Sequence, residues 1–256
     1  MTEPTRSATI NPQAAAADPR GILRITSDLY GPDLVVLTAE GEIDLSNAWM
    51  FERELARHDD TPQLVVDMSE VAFCGVAGAR ALKAAASRSS VIGQHLALVD
   101  NPAVARLLAA AGFRADIECL DRVAFVHEHA ERNLREYASR VAVAAGSGPE
   151  STFSEVEPEP CVYIALSTPC AAYPGRDTAL AWNQRCGWAV GLESSSDEDL
   201  FVLGYLGPVI LPSPSSVASF AAQVLSRRSA VRTGQPPRID ATNVLTRLCK
   251  LPNGPE

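Results

Sequence analysis

Aromatic residues fill only 6% of the 256 positions and histidine occurs four times, within the composition of a soluble globular protein. The longest apolar run, Phe201 to Leu211, is too short to cross a bilayer and is broken by Gly204, Gly207 and Pro208. The first twenty residues have no apolar stretch of the signal-peptide kind, so a cytoplasmic location is expected. None of the six cysteines forms a C-x-x-C pair, and the histidines lack ligand spacing, with His127 and His129 only two apart. Free thiols are therefore expected, with no metal and no cofactor. Basic residues are also short: 22 against 31 acidic, a net charge of −9. Residues 21–128 carry 16 acidic and 9 basic side chains, and residues 129–256 carry 13 and 11, so neither half has a basic surplus for direct nucleic-acid or membrane binding.

Sequence signatures of catalysis are missing too. There is no Walker loop, G-x-G-x-x-G, G-x-S-x-G or H-E-x-x-H, and Phe73–Gly78 lacks the Lys and Ser/Thr of a phosphate cradle. Cys74 precedes a helix start, where the dipole can lower a thiol pKa; a structural thiol is the competing reading and the better one without a placed base. The acidic groups Asp59-Asp60 and Asp197-Glu198-Asp199 fall in expected turns and read as solvated loop charge. No catalytic residue is assigned.

What is present is regular alternation. Ile22–Thr26 and Leu34–Ala39 are β-rich and flank a Tyr-Gly-Pro-Asp turn, which predicts an antiparallel hairpin leading to a Gly41-Glu42-Ile43-Asp44 corner. A helix capped by Asp44 or Ser46 follows, with Trp49 and Met50 near its start as either core or an interaction hot spot. Leu64–Met68 reads as a buried strand, Gly75–Ser90 as a helix, and His95–Val99 as a second buried strand. Asn101-Pro102 opens a helix closed by Gly112, Ile117–Leu120 is a short strand, and Asp121 to about Ala145 is a long helix with Val123, Val126, Ala130, Leu134, Tyr137 and Val141 inward. Strands alternating with helices predict an α/β fold with a largely parallel sheet covered by helices.

Residues 146–160 shift to Gly, Ser, Pro and Glu and read as a linker. Beyond them Cys161–Leu166, Thr178–Trp182, Trp188–Leu192 and Leu200–Leu206 predict a meander, with a turn over Ser194–Asp199, and Val217–Arg228 an amphipathic helix. Trp182 and Trp188 read as a cross-strand packing pair, a ligand platform being the other reading. The expected plan is a disordered tail over 1–20, an α/β domain over 21–130, a smaller α+β domain over 131–228, and a poorly ordered tail over 229–256.

The run Leu34–Leu45, with its Gly41-Glu42-Ile43-Asp44 corner, resembles the STAS domain of anti-sigma factor antagonists. So does Leu64-Val65-Val66-Asp67-Met68-Ser69 followed by Gly75-Val76-Ala77-Gly78-Ala79-Arg80. The Asn101-Pro102 helix ending in Ala111-Gly112-Phe113 completes the likeness over about residues 21–130. The resemblance implies a STAS-like mixed, largely parallel sheet and a non-enzymatic regulator that binds an anti-sigma factor of the serine-kinase type in a partner-switching pathway. It also implies a partner surface of Gly41, Glu42, Asp44, Gly75, Val76, Ala77, Gly78 and Arg80. In that family the stretch reads Asp-Ser-Ser/Thr-Gly and its first serine is phosphorylated; here Val76 stands at that position and has no hydroxyl. A constitutive antagonist, a different partner on the same face, and a scaffold without kinase binding are the three consequences. Ser69 and Ser87 are the nearby hydroxyls that could carry another switch, though Ser69 reads better as turn chemistry. The segments around Tyr163–Leu166, Asp177–Asn183, Gly187–Val190 and Pro212–Val224 resemble an uncharacterised small domain of GC-rich bacteria, which implies a boundary and no activity. The alternative function is small-molecule sensing or scaffolding through either domain.

Overall fold

In the computed structural model the alternation of β-rich and helical segments becomes two compact units, Met1–Phe125 and Val126–Glu256. The structure describes residues 15–30, 33–193, 200–229 and 235–251. In the first unit β1 (Ala15–Ala17), β2 (Leu23–Leu29), β3 (Leu34–Ile43), β4 (Gln63–Cys74), β5 (His95–Val99) and β6 (Glu118–Cys119) form one sheet in that order. β1, β2 and β3 pair antiparallel, while β3 to β6 run parallel, joined by α1 (Ala48–Ala56), α2 (Val76–Ile92) and α3 (Pro102–Ala110). Parallel neighbours need a crossover, and the helical segments supply it. Leu23, Leu37, Phe51, Leu64, Met68 and Leu98 are among the side chains buried at the centre, each contributing roughly 1.5–3 kcal/mol of transfer free energy.

The expected α/β class with a mixed sheet is what forms, with local differences. Residues 1–20 were expected to be a structureless tail, yet Ala15–Ala17 pair with Arg24–Thr26 and extend the sheet. Ala-Ala-Ala carries no strand signal of its own; the free edge of β2 recruits it. Neither Asp44 nor Ser46 caps α1. Its N-cap is Asn47, which uses its side chain on the loop instead: Asp44 N donates to Asn47 Oδ1 (2.9 Å), and Asn47 Nδ2 donates to the Glu42 carbonyl (2.9 Å). Asn101 behaves as expected, with Oδ1 accepting from Ala103 N (2.9 Å) and Val104 N (3.0 Å). The Gly31-Pro32 part of the hairpin turn, the Ser194–Asp199 turn, and residues 1–14, 230–234 and 252–256 of the tails lie outside the described residues.

The unit boundary falls within α4 (Arg122–Ala144). Val123 was expected to face inward and is exposed, whereas Ala130, Leu134, Tyr137 and Val141 are buried. The second unit is a meander of β7 (Thr152–Glu155), β8 (Cys161–Leu166), β9 (Thr178–Asn183), β10 (Gly187–Leu192) and β11 (Phe201–Tyr205), all antiparallel, followed by α5 (Pro214–Leu225) and α6 (Val244–Cys249). The segment 146–160 is therefore not a linker throughout, because Thr152–Glu155 pair with Cys161–Ile164 as an edge strand. The stretch 229–256 is not uniformly unordered either: α6 buries Val244, Leu248 and Cys249, and Asn133 Nδ2 donates to the carbonyls of Leu248 (3.0 Å) and Cys249 (2.9 Å). Composition hid both, since polar and proline-rich surroundings masked short apolar cores.

Trp182 and Trp188 face each other across β9 and β10 and are fully buried. Trp182 Nε1 donates to the Ile210 carbonyl (2.6 Å), Trp188 Nε1 to Tyr137 Oη (3.0 Å), and Tyr137 Oη to the Pro212 carbonyl (2.7 Å). The pair is a packed core element with its polar handles used internally, which overturns the ligand-platform reading.

Candidate functional site

Two corners of the first unit adjoin. β3 and β4 run parallel with Glu42 opposite Phe73 and Ile43 opposite Cys74, and Gly75 N donates to the Ile43 carbonyl (2.8 Å). The Gly41–Asp44 corner and the Gly75–Arg80 helix start, linked in the sequence only by resemblance, are thus neighbours.

Glycine is required at both. Gly41 has φ +98°, and a Cβ there would overlap the Ile22 carbonyl, which already accepts from Glu42 N (3.0 Å). Gly78 is buried, and a Cβ on it would lie 2.7 Å from Cys74 Sγ and 2.8 Å from Ile43 Cγ2. These two positions shape the site by close packing. Asp44 Oδ1 accepts from Ser46 N (2.8 Å) and Ser46 Oγ (2.5 Å), bonds that hold its carboxyl below the usual range, with Arg20 3.9 Å away adding to this. Arg20 Nη2 also donates to Ser46 Oγ. Asp44 is a turn organiser.

At the second corner Gly75 is the N-cap of α2, extended at φ −84° and with no side chain to cap, and Val76 is the first helical residue, 58% exposed. Ala77 is half-buried and Arg80 exposed. Burial pushes the Cys74 thiol up to about 11, the opposite of what a helix dipole would do. Ser69 lies in β4, where its N–H donates to Asp67 Oδ1 (2.9 Å) and its hydroxyl is buried, while Ser87 is exposed on α2.

Sequence reasoning missed two neighbours. Leu45 is 87% and Phe73 53% exposed, and with Trp49 and Val76 they give the two corners an apolar surface. Phe73 shares strand parity with buried Val71 and reads as core. Of β4, β5 pairs with Gln63–Asp67 alone, however, so the end of β4 runs past that neighbour and has β3 as its one strand partner there among the described residues. Trp49 stays exposed on α1 while Met50 is buried; the Arg53 guanidinium stands 5.2 Å from the Trp49 ring, and Trp49 Nε1 donates to the Ser46 carbonyl (3.1 Å). Among the described residues no group of three His, Cys, Asp or Glu side chains is placed to hold a metal, and no helix is long and apolar enough to cross a membrane.

A mixed sheet with parallel crossovers covered by helices defines an α/β domain class. Residues 21–126 are a STAS domain by match to that family's model, and residues 137–223 match a family of unknown function (DUF6292). Among solved structures the chain is similar to an anti-sigma factor antagonist from Mycobacterium paratuberculosis, at 23% identity and TM-score 0.36 over 41% of this chain and 89% of that one. It is similar to the anti-sigma factor antagonist SpoIIAA in its unphosphorylated form at 10% identity and TM-score 0.36, over 41% and 94% of the two chains. A putative anti-sigma factor antagonist from Thermotoga maritima shares 17% identity at TM-score 0.34, over 45% and 92%. No curated protein matches the chain.

Proposed function

We propose that the chain is a non-enzymatic regulatory binding protein that engages an anti-sigma factor, or a related regulator, through the double corner of its STAS domain. The observation that carries this reading is the apolar surface of Leu45, Trp49, Phe73 and Val76 beside Gly41, Glu42, Asp44, Gly75, Ala77, Gly78 and Arg80. Exposed apolar side chains gathered at one place mark an interaction surface, and an aromatic beside an arginine is a common anchor. Glu42 and Arg80 lie exposed beside this apolar surface and suit a partner of mixed charge.

Val76 leaves the first turn of α2 without a hydroxyl, so no phosphate charge is added there. A hydroxyl at the first turn of α2 could gain nearly two negative charges by phosphorylation and so release a partner. Valine removes that switch, and the domain acts as a constitutive antagonist.

The test is a pull-down from the native cytoplasm with wild type and Val76→Glu, with bound proteins identified by mass spectrometry. An anti-sigma kinase held by wild type and lost with the added charge is the expected result. A kinase in neither sample overturns the reading. Retention of the kinase by Val76→Glu moves the contact away from α2.

A further inference from the structure

Two neighbouring helices of the first unit carry charge of one sign. α2 contains Arg80, Lys83 and Arg88, and α3, packed beside it, contains Arg106, while neither helix has an aspartate or a glutamate. Four of the nine basic side chains of residues 21–128 are thus gathered on two elements of a domain that carries 16 acidic ones. Arg88 is paired with Asp59 at 3.5 Å. Arg80, Lys83 and Arg106 are exposed and form no ion pair among the described residues, and Lys83 Nζ stands over the Phe113 ring, 4.2 Å from its centroid. Nearby carboxylates are engaged elsewhere: Glu54 with Arg53 and Arg57, Asp100 with Arg114, and Glu118 with His95. Glu52 of α1 is exposed and pairs with none of the three cations.

The spacing along α2 selects the occupant. Val76, Arg80, Lys83 and Ser87 follow one another at helical intervals and are all exposed, so they form one line roughly 16 Å long. It begins at the apolar corner and continues as a basic stripe. A complementary surface offers an apolar side chain followed by carboxylates about one helical turn apart. Nucleic acid and anionic membrane match it less well, because the chain outside these helices is more negative than the whole and repels an extended polyanion. A short acidic segment on a folded protein meets the stripe alone.

We propose that the outer face of α2 and α3 receives an acidic helical segment of a partner protein, its carboxylates paired with Arg80, Lys83 and Arg106 and an apolar side chain set on Val76. The proposal deepens the reading above and rests on it for a protein partner docking at the double corner. The corner supplies apolar contact, and the stripe sets the direction in which the partner's segment lies.

The full chain, isotopically labelled, is titrated with a blocked alanine-rich dodecapeptide bearing one leucine and then glutamates a helical turn apart, and amide spectra are recorded. A matched peptide carries glutamine in place of glutamate, and an oligothymidylate of equal charge is the third probe. The expected result is that the glutamate peptide shifts amides of α2 and α3 at about tenfold lower concentration than the glutamine peptide, and that raising salt from about 50 to about 500 mM removes the difference. Arg80→Gln, Lys83→Gln and Arg106→Gln combined abolish these shifts while thermal melting stays as in wild type. The proposal is overturned if the two peptides act alike, if the shifts fall outside α2 and α3 or survive the triple variant, or if the oligothymidylate binds as tightly as the peptide. The pull-down separates the two readings: a kinase captured there with no peptide shifts on α2 and α3 overturns the acidic segment alone, and shifts with no kinase captured overturn the anti-sigma partner alone.

Discussion

Gly41 and Gly78 show how single residues set the shape of the interaction corner. Gly41→Ala would place a methyl on the Ile22 carbonyl in a left-handed backbone conformation, so the first unit should lose about 2 kcal/mol or more, read as a lower urea midpoint at unchanged m-value. His58 illustrates a different residue-scale effect. Its ring is half-buried, with Nε2 2.9 Å from Ser27 Oγ, and burial lowers its pKa from 6.5 despite the opposing pull of Glu54 and Asp60. The unfolded chain then takes up a proton at higher pH than the folded one. Stability is complete above 6.5 and declines as pH falls through the unfolded value toward the lower folded one. His58→Asn should flatten that decline in denaturation midpoints measured between about pH 7.5 and pH 5; an unchanged slope would assign it to other groups.

At the scale of elements, Asn101 ties α3 to β4. Its Oδ1 caps the helix, while Nδ2 donates to the carbonyls of Val71 (2.8 Å), Met68 and Ser69 (both 3.3 Å), where β4 has outrun β5. Asn101→Ala removes a cap and leaves part of the strand's backbone without its partner, so a loss of about 2–4 kcal/mol is expected in chemical denaturation. Asn101→Asp keeps the cap and loses the donor, and should fall between the two. The cap was legible in the sequence because Asn-Pro before an apolar stripe is a local signal. The second role was not, because it joins residues about thirty positions apart.

At the scale of the whole molecule, the second unit depends on a segment that composition assigns to a tail. Truncation after Ile239 would remove α6, uncover its contacts with buried Asn133, and take away the packing of Val244, Leu248 and Cys249. Several kcal/mol of stability should disappear, seen as a lowered melting transition of the second unit with that of the STAS domain unchanged. Retained melting would mean that α6 contributes nothing to the core. The alternation of strands and helices, the mixed sheet class, the Asn101 cap, the meander and the Trp182–Trp188 register were written in local pattern, since period and turn chemistry act over a few residues. The strand at Ala15–Ala17, the strand at Thr152–Glu155 and the helix at Val244–Cys249 were not, because an edge to pair with or a core to complete supplies what their own sequences lack. The candidate site divides the same way: its glycines and Val76 stood out in the chain, whereas Leu45 and Phe73 joined them only through tertiary structure. β4 outruns β5 there and leaves Phe73 in solvent beside the α1 corner, an exposure set by where a neighbouring strand ends and not by the residue itself.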